Sequence, residues 1–109
     1  MAKPNSWQEE VSQGVELAGT IRQAVVAANS TTATPLSSTP TNILWVMIQN
    51  LGTVNIYIGS STVTNSGSTR GILARPNGET PVIKVDDLSK IYVIAASGSP
   101  DVAYLAGWK

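Results

Sequence analysis

At 109 residues the chain has the size of one compact domain. Hydrophobic residues make up 42% of it and charged residues only 13%, about half the usual share, with seven Lys/Arg balanced by seven Asp/Glu. That balance argues against a nucleic-acid partner, which demands a basic face, and the absence of Cys and His removes thiolate chemistry, the commonest general base and the commonest metal ligand.

The charges are also unevenly placed. Lys3, Glu9, Glu10, Glu16 and Arg22 lie near the start, and the other nine fall between Arg70 and Lys109. From Gln23 to Thr69 there is no charged side chain, only Thr, Ser, Asn and β-branched apolar residues over 47 positions. Soluble proteins ordinarily guard strand edges with Lys and Glu, so an unguarded stretch of this length predicts cover by another chain.

Residues 1–19 read as an N-terminal arm. Ser6-Trp7-Gln8-Glu9 has capping-box spacing, and Trp7, Val11, Val15 and Ala18 follow as one narrow apolar stripe at helical period. Gly14 and Gly19 weaken so short a helix, so the arm is expected to be extended and partly helical, and to order when the stripe docks. The opening residues have no apolar run and do not read as a secretory signal.

Residues 20–109 read as β-structure. Thr20–Ala28 is the first expected strand, and Thr34–Ser38 a short edge piece, since Pro35 cannot donate to a ladder. Ile43–Ile48 is the strongest strand; both its faces are apolar, so cover on both is expected. At six residues it is far short of the ~20 that a membrane-spanning helix takes, so no membrane partner is expected. After a turn at Asn50-Leu51-Gly52, the run Thr53–Ile58 alternates, with Val54, Ile56 and Ile58 on one face and Thr53, Asn55 and Tyr57 on the other. A polar loop over 60–69 surrounds Val63. Further strands are expected at Gly71–Ala74, Pro81–Val85, Lys90–Ala95 and Asp101–Leu105, separated by Pro76-Asn77-Gly78, Asp86–Ser89 and Ser97–Pro100. Strands every ten residues or so, with no linker long enough for a crossover helix, predict an all-β fold: a small antiparallel β-sandwich or barrel.

The chain resembles small virion proteins of tailed bacteriophages. The resemblance rests on Thr34-x-Leu36, Ile48-Gln49-Asn50-Leu51-Gly52-Thr53, Val54-x-Ile56-Tyr57-Ile58-Gly59 and Val63-Thr64. It continues through Asn77-Gly78-Glu79, Leu88–Ala95 and Gly98–Val102, covering about residues 20–106. The chain departs from that pattern at Ser68–Arg75, where the loop is longer and carries two arginines. The resemblance implies a compact β-sandwich in a capsid decoration protein, a head fibre or a tail module.

Other chemistry finds less support. Asp86-Asp87 is the one adjacent acidic pair of the β-region and reads as a turn initiator rather than a cation or acid–base site. Asn77-Gly78-Glu79 reads as a hairpin turn, because no helix follows to cradle a phosphate. The many Ser and Thr residues have no accompanying base. Trp45, Tyr57, Tyr92, Tyr104 and Trp108 fit either a glycan-stacking platform or core and interface anchors.

The expectation is therefore a non-enzymatic structural protein of a phage virion with no cofactor and no metal. It would be made in the host cytoplasm and sit on the capsid surface. Its partners would be the major capsid protein and copies of itself, in a trimer or, alternatively, a dimer. The expected interface comprises Trp7, Val11, Val15, Trp45, Met47, Tyr57 and Trp108. The competing reading is a head-fibre or tail module that binds host glycans.

Overall fold

The computed structural model describes residues 19–108. The expected arm, with Trp7, Val11 and Val15, lies outside the described residues. The chain forms β1 (Thr20–Ala27), β2 (Thr34–Pro35), β3 (Trp45–Asn50), β4 (Ile56–Gly59), β5 (Ile72–Ala74), β6 (Tyr92–Ala95) and β7 (Asp101–Trp108). Two single-turn 3-10 segments, Gly67–Thr69 and Leu88–Lys90, complete it.

The strands make two antiparallel sheets, one ordered β1-β7-β3 and the other β2-β6-β4-β5. In the first, β7 lies between two partners along most of its length, with Ala106 opposite both Arg22 and Val46, and Tyr104 opposite both Ala24 and Ile48. Residues opposite one another point to the same face, so each row can be assigned to one side. Val46, Ile48, Val102, Tyr104 and Ala106 point inward and meet Ile56, Ile58, Ala74, Val93 and Ala95 of the second sheet. Leu36, Ile43, Leu88 and Ala28 close the core. The fold is the expected all-β sandwich.

Several boundaries moved. β1 ends at Ala27 and β2 at Pro35; β3 starts later than Ile43 and runs on to Asn50; the Thr53–Ile58 run yields a ladder only from Ile56, through Gly59; β5 begins at Ile72 and β6 at Tyr92; and β7 extends past Leu105 to Trp108. The last shift has a clear cause: pairing on both sides holds Gly107 in the ladder, although glycine disfavours strands. Pro81–Val85 forms no ladder strand. It touches β3 through an isolated bridge, Val46 to Ile83, with reciprocal N–H···O distances of 2.9 and 2.8 Å. Beside it, buried Thr80 replaces ordinary strand pairing: its hydroxyl accepts from Ile48 N at 3.0 Å while its own N–H donates to the Ile48 carbonyl at 2.8 Å. Pro81, lacking an N–H, cannot continue the pattern.

One buried polar residue ties the sheets at the end of β3. Asn50 is 0% exposed, and its amide donates to the Val54 carbonyl (2.6 Å) and to the Ala74 carbonyl of β5 (3.0 Å). Its oxygen accepts from Gly52 N at 2.9 Å, closing the turn that carries the chain from one sheet to the other.

Candidate interaction surface

The first sheet has an outer face as well as a core face. Reading the register across it, Ile21, Gly107 and Trp45 form one row, Gln23, Leu105 and Met47 the next, and Val25, Ala103 and Gln49 the third. No residue in these rows is charged. Ile21 is 57% exposed, Val25 55% and Leu105 38%, while Trp45, Met47 and Ala103 are half-buried. A shallow depression between Gln23, Met47, Gln49, Ala103 and Leu105 is bounded by the carboxylate residue Glu79. The cover expected on both faces of β3 is therefore present on one: Val46 and Ile48 are buried, whereas Trp45 and Met47 retain contact with solvent. Apolar side chains clustered on one sheet face, without interspersed charge, are the usual physical mark of a surface that another molecule covers.

The expected interface residues divide among three places. Trp45 and Met47 share the outer face just described. Trp108 projects from the opposite side of the same sheet, on the face of Ala106, where the Arg22 guanidinium carbon stands 5.0 Å from its ring centroid. That contact is a cation–π pair, so Trp108 has an intramolecular partner. Tyr57 belongs to the second sheet, alternating with buried Ile56 and Ile58, and Arg70 lies 6.0 Å from its ring centroid. The five aromatics do not share a platform: Tyr104 is a core residue at 7% exposure, and Trp45, Tyr57 and Trp108 occupy different faces.

The outer surface of the second sheet is built differently. Ile94 and Val63 are buried but stand outside the main core cluster. The loop after β4 reaches back across the sheet, and Asn65 donates from its amide to the carbonyls of Ser30 (3.0 Å) and Ala95 (2.9 Å). Those bonds tie the loop to β6 and to the segment after β1, while Leu73 and Ile72 stay exposed at the β5 edge.

The acidic pair forms a turn. Asp87 accepts from Ser89 N (2.9 Å), Ser89 Oγ (2.8 Å) and Thr41 N (2.9 Å), capping the 3-10 turn that buries Leu88. These hydrogen bonds, from the Thr41 backbone first, hold its carboxyl below the usual carboxylate range. Asp86 is held low by the hydrogen bond and charge of Lys90, 2.8 Å away, whose ammonium is pushed up in turn. Both partners are mostly exposed, so the pair contributes little to stability. Among the described residues no group of three or more His, Cys, Asp or Glu is placed to hold a metal ion, and no helix is long and apolar enough to cross a membrane.

The sequence expectation missed Ile21, Val25 and Leu105. The signal was present: Ile21, Gln23 and Val25 alternate with Arg22 and Ala24, and Leu105 alternates with Tyr104 and Ala106. Which alternate set faced outward depended on the sheet partner. No protein-family model matches the chain, and no match was found among curated proteins.

Proposed function

We propose that this chain is a non-enzymatic structural protein of a tailed-bacteriophage virion, a decoration or cement protein that binds the major capsid protein and stabilises the head. The observation that carries the reading is the uncharged outer face of the β1-β7-β3 sheet, with Ile21, Val25, Leu105, Met47 and Trp45 in adjoining rows. Covering these rows desolvates no charge within them, although the Glu79 carboxylate stands at the border beside Gln49. Burying each of its exposed aliphatic side chains contributes roughly 1.5–3 kcal/mol before association costs are subtracted. An interface that exists only on the assembled shell stabilises that shell by mass action. The resemblance of residues 20–106 to phage virion proteins supports the same reading.

The test is cosedimentation of the purified chain with expanded, DNA-free heads of the phage that encodes it. Wild type should bind and raise the temperature at which heads disrupt, and Leu105→Glu, which places a charge in the middle row, should lose binding while remaining folded. A chain that binds host polysaccharide and not heads would overturn the reading in favour of a glycan-binding module.

A further inference from the structure

We propose that two copies of this chain associate edge to edge through β1, antiparallel about a two-fold axis passing beside Gln23. The result is one continuous sheet in the order β3-β7-β1-β1-β7-β3. β1 pairs with β7 along all eight of its residues and has no strand on its other side among the described residues. Seven of the eight are exposed, with Val26 half-buried.

Monomeric proteins protect such an edge with Lys, Glu, Pro, a bulge or a covering loop. β1, Thr-Ile-Arg-Gln-Ala-Val-Val-Ala, contains no proline or glycine, and its register with β7 is unbroken. Its one charge, Arg22, is drawn over the Trp108 ring rather than left free at the edge. Length, β-branched content and the lack of protection among the described residues all favour a further strand on this side.

The identity of that strand follows from self-complementarity. Opposed residues in an antiparallel pair share a face, so joining two outer faces requires odd-numbered residues opposite odd-numbered ones. Centred on Arg22, the pairing would set the two Arg22 side chains directly opposite each other, which is unfavourable. Centred on Ala24, it would spend Ile21 on Ala27 and set Arg22 against Val26. Centred on Gln23, each Ile21 meets Val25 of the other copy, each Arg22 meets Ala24, and Gln23 meets Gln23. The ladder then runs from Gly19 to Ala27, and apolar pairs flank an amide pair. Ile21 and Val25, the exposed large apolar residues of β1, thereby cover one another. Because the axis is two-fold, the assembly is a dimer rather than the trimer favoured from the sequence.

The chain has no cysteine, so an introduced thiol reports alone. Gln23→Cys sets two thiols directly opposite with Cα atoms about 4.5–5.5 Å apart, within disulfide range. Val25→Cys leaves its two copies four residues out of step, on the order of 13 Å apart. Mild oxidation should convert Gln23→Cys to a covalent dimer and leave Val25→Cys uncoupled. Sedimentation equilibrium of the wild type should give twice 11.4 kDa, and Val25→Lys should give the monomer mass with an unchanged far-ultraviolet dichroism spectrum. A wild-type mass of one chain at submillimolar concentration overturns the proposal. So does a trimer, or a dimer in which Gln23→Cys does not couple. The pairing needs no shell, so it stands or falls separately from the capsid reading.

Discussion

Asn50 offers the sharpest perturbation of the fold. Replacing it with alanine deprives three backbone groups of their partners: the Val54 and Ala74 carbonyls and the Gly52 N–H. The bond to Ala74 is buried, whereas those to Val54 and Gly52 are part-buried and within closer reach of water. With about 1–3 kcal/mol for a fully stranded group and less for one that water can serve, the total comes to roughly 2–4 kcal/mol. For a domain of this size that lowers the melting temperature by on the order of 10–20 °C. Asn50→Asp keeps the shape but exchanges the donor for an acceptor facing two carbonyls. Its carboxyl in the folded state is therefore driven above the unfolded value of about 3.9. For an acid shifted upward, the unfolded state releases its proton first as pH rises, so this variant should be least stable at neutral pH and recover towards pH 4. Urea denaturation of wild type and both variants across that range is the assay. If Asn50→Asp matches wild type at neutral pH, Asn50 is not the tie between the sheets.

Two further outcomes are expected. A methyl group at Gly71 would overlap the Ile58 carbonyl oxygen and lie 2.6 Å from Val63 Cγ2. Because the β4 backbone must move, Gly71→Ala should destabilise the fold by about 1–3 kcal/mol, measurable by thermal denaturation. The lowered carboxyl of Asp87 contributes stability that is present above the unfolded carboxylate value and lost as pH falls through its folded one. Asp87→Asn should therefore flatten the acid limb of the stability profile, and an unchanged limb would contradict the capping role.

Much of the architecture was legible in local chemistry. β1 occurs where Thr20–Ala28 was expected, Pro35 sits in a sheet-edge strand, and Asp87 starts its turn with the side-chain acceptance typical of that residue. Pro76-Asn77-Gly78 closes a turn in which Asn77 takes φ +63° and Gly78 N donates to the Arg75 carbonyl at 2.7 Å. Each of these depends on residues within a few positions of one another, so the sequence determined them by itself. Strand partnership was a different matter. β7, near the chain's end, pairs with β1 near its start and with β3 from its middle, and nothing in the local pattern of Asp101–Trp108 names either neighbour. That choice placed Leu105 between Gln23 and Met47, separated Trp45 from Tyr57 and Trp108, and gave Arg22 to Trp108. It also made Asn50, which closes the expected turn, a buried strand end as well, because its amide meets the Ala74 carbonyl only after the second sheet is in place. Alternation fixes which residues share a face, but which face is buried depends on long-range pairing, and that is decided only when the whole core assembles.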